Sequence, residues 1–418
     1  MNLPRNDQTD ETFEVVIERI LPGGLGLAHA DSRTVMVALA APGDRLRVRV
    51  DRVKGSVAFA SIVEILEPAP VRVEPPCPYF GRCGGCNFQQ LSYQAQLDAK
   101  IEIIRDCLRR LGGLEHIPGF EITPAPNEWH YRARAQWQYA SVRRWLGYFE
   151  ANSRDVCDVA ECAVLVPELQ RELEGLRERM RQGELPDDAR HFRAVVGDEG
   201  VSVAADASGG GVCVVDITRT IRGGRYHLNA NSFFQTNLDL VPALIDSALG
   251  DGRGEAAIEL YSGVGLFTVP LARRFVNVFA VEDDAAASDF ASRNLAEAGL
   301  SNVEVVNQDV ADWLESLERG GVRFAPAALR RARMPALPGA RQTDFLLLDP
   351  PRTGAESRAI SGIVRLKPKR ICYVSCDPAT LARDLKKLIA GGYSITSIQA
   401  FDMFPQTHHV ETVVHLTG

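Results

Sequence analysis

No run of about 18 apolar residues occurs anywhere in the 418-residue sequence, which argues against a membrane-spanning helix. The N-terminal stretch from Met1 to Glu14 is polar and acidic and lacks the apolar segment of a secretory leader, so a cytoplasmic location is expected. A surplus of positive charge is missing too. Lys and Arg total 47 against 54 Asp and Glu, a net charge of −7, so any nucleic-acid surface must be a local one. No Gly-x-x-x-x-Gly-Lys-[Ser/Thr] is present, which leaves phosphate-cradling ATP chemistry without support. What is present is material for a core. Hydrophobic residues make up 45% and charged residues 24%, the balance of a soluble globular protein, over a length that suggests two or three domains.

The chain changes character twice. Residues 12–68 alternate short apolar strands with Gly and Pro turns, as a small β-barrel does, so a first domain is expected over residues 1–70. Within it Arg45, Arg47 and Arg49 alternate with Leu46, Val48 and Val50, which puts three arginines on one strand face, either solvated or touching nucleic acid. A proline-rich link leads into residues 71–227, read as a β-rich central domain. The spacing of Leu97, Ile101, Ile104, Leu108 and Leu111 predicts a helix from Ser92 to Leu111, with Ser92 as N-cap and Cys107 on the apolar face. A second helix is expected near Pro167 to Gln182. From 228 to 418 strands and helices alternate as in a doubly wound parallel sheet, with strands expected at 256–261, 277–282, 302–307, 344–348, 370–375, 393–401 and 409–416. Residues 319–341 break that rhythm with many arginines and no acids, and read as a basic insertion.

The nine cysteines are expected to be reduced, hence ligands, nucleophiles or core thiols rather than disulfides. Cys77, Cys83 and Cys86 form a C-x5-C-x2-C group whose glycine pair lets the backbone turn about a metal centre. The fourth ligand must come from elsewhere: Cys162 is the choice and Cys157 the rival. The uneven spacing fits an iron–sulfur cluster better than a zinc knuckle. Cys213 and Cys372 read as packing.

Three further motifs fall at predicted strand ends. Ile258 to Phe267 runs from a strand into a turn with Gly263 and Gly265, and Glu282 ends the next strand, where a carboxylate can accept adenosine ribose hydroxyls. Asp309 ends the third strand, placed to meet the adenine. Phe345 to Leu348 is an apolar strand ending in Asp349-Pro350-Pro351. The next strand ends in Ser375-Cys376-Asp377-Pro378, where a following helix N-terminus should lower the thiol pKa. A nucleophilic cysteine beside a cofactor edge answers a specific need. Carbon 5 of a pyrimidine becomes nucleophilic only after thiolate addition at carbon 6, and a base must later remove the carbon-5 proton. Glu411, on a late strand, is a fitting base.

With these residues in view, the chain resembles the RNA 5-methyluridine methyltransferases, in particular the branch that carries a TRAM domain and an iron–sulfur cluster and modifies 23S ribosomal RNA. The resemblance rests on the barrel, the Cys77/Cys83/Cys86 group, Phe233-Phe234-Gln235-Thr236-Asn237, Glu259-Leu260-Tyr261, Asp349-Pro350-Pro351-Arg352, Ser375-Cys376-Asp377-Pro378 and His409-Val410-Glu411. It implies an α/β class I, Rossmann-like methyltransferase domain behind a TRAM/OB-like barrel and a central iron–sulfur domain. It further implies S-adenosylmethionine and a [4Fe–4S] cluster as cofactors, Cys376 as nucleophile and Glu411 as base. Cofactor contacts are implied at Gln235, Tyr261, Gly263, Gly265, Glu282, Asp309 and Asp349, and cluster ligands at Cys77, Cys83, Cys86 and Cys162. The partner it implies is RNA, with a flipped or single-stranded uridine as target, no membrane, and a monomeric enzyme. The run from Trp129 to Trp145 interleaves aromatics and arginines and could stack nucleotides. Alternatives are a tRNA uridine-5 methyltransferase, an RNA cytosine-5 methyltransferase, which usually has a Cys where Arg352 stands, and a non-catalytic RNA-binding or ribosome-assembly factor.

Overall fold

The computed structural model describes residues 12–30, 33–207, 214–318 and 343–418. Cys213 and the arginine-rich stretch 319–341, both singled out in the sequence, lie outside the described residues. The first unit is a six-stranded sheet of order β1-β5-β6-β4-β3-β2, made of β1 (Thr12–Val16), β2 (Arg19–Ile20), β3 (Gly26–Ala30), β4 (Arg33–Val37), β5 (Arg45–Lys54) and β6 (Val57–Glu67). Alternation along β5 buries Leu46, Val48 and Val50 in the barrel core and turns its arginines outward. Arg45 pairs with Glu14 and Glu67, and Arg47 with Glu14 and Glu64. Of the two readings of this face, the solvated one fits: its charge is already balanced by neighbouring acids.

After the barrel comes α1 (Tyr93–Arg110), then β7 (Ile122–Thr123). The helix starts at Ser92 as expected, but the Ser92 side chain caps nothing, and Leu111 is exposed rather than on the buried stripe. The buried face is wider than the spacing implied, since Gln96, Lys100 and Ile103 are buried together with Leu97, Ile104 and Leu108. The central unit is an antiparallel sheet of order β10-β9-β8-β11-β12, from β8 (Arg134–Ala140), β9 (Trp145–Phe149), β10 (Val156–Asp158), β11 (His191–Val196) and β12 (Val201–Ala205). It is covered by α2 (Pro167–Gln182), whose Leu169, Leu173 and Leu176 pack with Trp137, Leu146 and Phe192. A hairpin of β13 (Ile217–Ile221) and β14 (Gly224–Leu228) follows.

The remaining chain winds α3 (Val241–Leu249), β15 (Gly254–Leu260), α4 (Thr268–Ala272), β16 (Phe275–Glu282), α5 (Ala285–Glu297), β17 (Val303–Asn307), α6 (Val310–Glu318), β18 (Phe345–Leu348), α7 (Ser357–Leu366), β19 (Arg370–Ser375), α8 (Pro378–Ala390), β20 (Ser394–Phe401) and β21 (Glu411–Thr417) into one sheet. Its order is β17-β16-β15-β18-β19-β21-β20-β7. The strands are parallel except β21, which pairs antiparallel with both β19 and β20. One face packs α3, α4 and α5; the other packs α1, α6, α7 and α8, with Cys107 in the latter core as expected. Thus α1 and β7, which precede the central sheet in the chain, complete the sheet that follows it.

A buried ion pair fastens this arrangement. Lys100 of α1 and Asp402, just beyond β20, are both fully buried and bonded to each other, and the ammonium also donates to Phe404 O at 3.0 Å. Burial pulls the Lys100 pKa down by more than Asp402 raises it, so the ion pair does not recover the full cost of leaving water. Breaking it is nonetheless expensive. Lys100→Met is expected to strand the Asp402 carboxylate and to cost about 3–5 kcal/mol. Urea unfolding checks this, and an unshifted midpoint would mean that the pair does not hold α1 to the sheet.

Candidate active site at the carboxyl edge of the sheet

Parallel strands deliver their carboxyl ends to one edge: Tyr261 to Gly265 after β15, Glu282 from β16, Asp309 after β17, Asp349 after β18 and Cys376 after β19. Because β21 runs the other way, its first residue, Glu411, reaches that same edge. Ser375 pairs with Thr412 and Val374 with Val413, so the next step of the ladder sets Cys376 against Glu411. Val374 and Val413 face one core together, and Cys376 and Glu411 keep their parity, hence their side of the sheet. Cys372, two steps deeper on β19, is fully buried as packing.

Electrostatics at this edge are unusual for one reason: carboxylates crowd it with almost no cation. Burial pushes Asp349 up to about 7. Burial, then the charge of Asp349, pushes Glu411 well above the usual carboxylate range. Glu259, fully enclosed and accepting a hydrogen bond from Thr268 Oγ1 at 2.6 Å, is pushed up to about 8 by burial. The Cys376 thiol, half-buried, rises to about 12 through burial and the neighbouring Glu411. This corrects the expectation that the helix N-terminus would lower it. Asp377 rather than Cys376 caps α8, accepting from the backbone of Ala379 and Thr380, and burial with the surrounding acids raises the thiol instead. The cation that opposes them is Arg352, which lowers both Cys376 and Glu411 and makes no ion pair among the described residues. Sequence reasoning gave Arg352 no role at the site. Its place directly after Asp349-Pro350-Pro351 was the available signal. His408 and His409 stack at 4.1 Å and are held neutral, at about 4 and 3, by burial and nearby positive charge.

The glycine turn has the form of a cradle. Tyr261, Gly263 and Gly265 all take positive φ, and a Cβ at Gly263 would touch no protein atom. Glu282 accepts from Gly263 N at 2.8 Å and from Asp284 N at 3.0 Å, which fixes its carboxylate beside the turn and leaves further lone pairs. Asp309 accepts from Asp312 N at the start of α6. Ser262 Oγ and both side-chain polar atoms of Asn237 are buried without partners. Phe234, next to the buried Gln235, packs into one core with Val264 and Leu266 of the turn, while Phe233 is exposed under the Arg134 guanidinium at 5.5 Å. Orphaned polar atoms, an open glycine and unpaired carboxylates suit a polar, positively charged ligand such as a sulfonium nucleoside carrying an ammonium.

A second centre lies between the barrel and the central sheet. Cys77, Cys83, Cys86 and Cys162 line one hollow, with Tyr148 and Arg132, whereas Cys157 on β10 is fully buried outside that lining. A single metal ion needs its thiolates to converge to about 2.3 Å from one point, and among the described residues no three candidate ligands do so. A cluster binds each thiolate to a different iron, so its sulfurs stand apart around a hollow. Without a cation, burial pushes Cys83 and Cys86 up to about 12, and the buried Tyr148 hydroxyl in the same wall has no hydrogen-bond partner. The four thiols therefore fit a cluster better than a lone ion. In the aromatic–basic run, Tyr131 and Trp137 are core, and Trp145 under Arg143 at 4.9 Å remains at the surface.

Comparison with known proteins agrees with this geometry. Residues 215–418 match the family model described as tRNA (Uracil-5-)-methyltransferase, and residues 8–63 match the TRAM domain. A curated relative from Alkalilimnicola ehrlichii, named 23S rRNA (uracil(1939)-C(5))-methyltransferase RlmD, is 32% identical over 96% of both chains. The chain belongs to the RNA uracil-5 methyltransferases. A relative from Thermosynechococcus vestitus, named only as an uncharacterised RNA methyltransferase, is 31% identical over 98% of this chain and 99% of its own length. Among solved structures, the tRNA (uracil-54, C5)-methyltransferase of Pyrococcus abyssi, in complex with S-adenosyl-L-homocysteine, superposes with a TM-score of 0.71 at 25% identity, covering 97% of this chain and all of that one. As an RNA uracil-5 methyltransferase the protein draws its methyl group from S-adenosylmethionine.

Two measurements test the site. The raised Asp349 value stands above that of an unfolded chain, so this residue's stabilising contribution is complete below about pH 4 and is lost as pH rises through about 7. Asp349→Asn should therefore stabilise the cofactor-free protein at pH 8 by on the order of 1–4 kcal/mol and change little near pH 4; equal shifts at both pH values would contradict the assignment. At the second centre, Cys162→Ser should lose iron on purification while Cys157→Ser keeps it. The opposite pattern would exchange the two assignments.

Proposed function

We propose that this enzyme methylates carbon 5 of a uridine in 23S ribosomal RNA through a covalent bond between Cys376 and carbon 6 of the base. The observation that carries this reading is the antiparallel register that ends with Ser375 opposite Thr412, one residue short of Cys376 and Glu411, together with the action of the Glu411 charge on the Cys376 thiol. S-adenosylmethionine supplies an electrophilic methyl group; Gln235, Tyr261, Gly263, Gly265, Glu282, Asp309 and Asp349 would hold it. Cys376 gives its proton to solvent water and its sulfur bonds carbon 6, so the π pair moves onto the carbon-4 oxygen as an enolate. Carbon 5 then takes the methyl group, and the broken sulfur–methyl bond leaves its electrons on the departing S-adenosylhomocysteine. Glu411, as carboxylate, removes the carbon-5 proton; the double bond re-forms and Cys376 leaves as thiolate, which regains a proton. Arg352, the cation at this edge, favours the thiolate at both ends of the cycle. A [4Fe–4S] cluster on Cys77, Cys83, Cys86 and Cys162 would cross-link the cysteine loop to the chain before α2; no step of methyl transfer passes through it.

Support for ribosomal RNA comes from the relative named for 23S rRNA, more similar in sequence than the tRNA-modifying structure. Unmodified 23S rRNA and tRNA transcripts offered with labelled methyl donor decide between these substrates. Cys376→Ala should lower turnover to background with the fold intact, and Glu411→Gln should leave a heat-stable protein–RNA band. Residual turnover in the first variant would remove the covalent mechanism, and a missing band in the second would remove Glu411 as base.

A further inference from the structure

Asn87 follows directly on Cys86 and reaches across to the loop that delivers Glu411. Its backbone N–H and that of Phe88 both donate to Gln406 O, at 3.1 and 3.0 Å. Its side chain clasps His408: Oδ1 accepts from His408 N at 3.0 Å, and Nδ2 lies 2.8 Å from His408 Nδ1. A backbone N–H can only donate, so the amide orientation is settled, and the ring nitrogen that meets the amide N–H must be the acceptor.

The tethers on residues 402–410 come in sequence. Lys100 holds Asp402 and Phe404 O, Tyr131 donates to Pro405 O at 3.0 Å, and Gln96 exchanges two hydrogen bonds with Gln406. Beyond Gln406 the bonds of Thr407 and His409 stay within the loop, and the Asn87–His408 clasp is the last hydrogen-bonded tether from another element before Glu411 among the described residues. From the barrel side, Gly24 packs so closely on the pair that a Cβ there would collide with the Asn87 amide and touch His408 Cβ at 3.2 Å.

We propose that Asn87 is a positioning residue, which through His408 sets the start of β21 so that Glu411 meets the carbon-5 proton, making proton removal depend on the placement of the cysteine loop. This inference rests on the reading of Glu411 as base. Losing the clasp frees only residues 407–410, because the tethers on Asp402, Phe404, Pro405 and Gln406 remain, so the fold and the addition of Cys376 should survive.

The test uses the full-length, iron-loaded enzyme with unmodified RNA and labelled methyl donor. Asn87→Ala, His408→Ala and the double variant are compared with Glu411→Gln for kcat, for RNA KM, for methyl groups transferred in the first turnover, and for heat-stable adduct. The expected result is a kcat lower by on the order of ten- to a hundredfold, with KM and first-turnover methylation kept and adduct accumulating. Asn87→Ala breaks both bonds of the clasp and His408→Ala only the one to the ring nitrogen, so the losses in the double variant should be less than additive. Wild-type kcat in the single variants, a fall in kcat without adduct, or additive losses would each overturn the inference. Adduct in Glu411→Gln but none in Asn87→Ala refutes the positioning role alone. If Glu411→Gln forms no adduct, the base assignment fails first and takes this inference with it.

Discussion

A single reversed strand governs the chemistry of this fold. In a sheet whose other strands all run one way, loops at the carboxyl edge can supply a cofactor cradle, yet two groups that must flank one base need a fixed separation across a hydrogen-bonded ladder. Strand β21 provides that by entering where its neighbour β19 leaves, so the last ladder pair, Ser375 with Thr412, anchors the residues that lead directly to Cys376 and Glu411. Loops alone would leave that spacing free to drift. The short strand β7, donated from before the central sheet, covers the outer side of β20 and so protects the pair's own neighbour from fraying.

The second organising fact is a crowd of buried carboxyl groups whose ionisation burial opposes. Glu259, Asp349 and Glu411 sit within one region in which, among the described residues, Arg352 is the cation that opposes them at Cys376. Such crowding destabilises the empty protein and is tolerated because the ligand arrives positively charged. Burial and the neighbouring acids together raise the Cys376 thiol pKa to about 12.

Much of this was legible in the amino-acid order. Apart from β7, which the sequence did not mark, each strand of the large sheet lies within about two residues of its expected position, because buried parallel strands read as unbroken apolar runs such as Phe345 to Leu348. Motifs at strand ends could likewise be read, since strand direction alone assigns them to one edge. What stayed hidden was non-local. The spacing in α1 marked one stripe, but the helix is sandwiched between the sheet and the loop after β20, so Lys100 and Gln96 are buried as well. The thiol's high pKa depends on acids that other strands bring in, and the Asn87–His408 clasp joins positions 321 residues apart. The outward arginines of β5 could be placed on a face, but not matched to Glu14, Glu64 and Glu67 without knowing the barrel's register.

The pairing of Lys100 with Asp402 also has a consequence in time. The lysine leaves the ribosome early and its partner 302 residues later. At ~5–20 residues per second, the ammonium waits roughly 15–60 s before a counter-charge exists. During that interval α1 cannot enter the interior, since a buried lone cation is too costly. The segment that carries Asp402 therefore acts as the latch of co-translational assembly: the barrel and central sheet can mature first, and the catalytic sheet shuts only once that segment has been made.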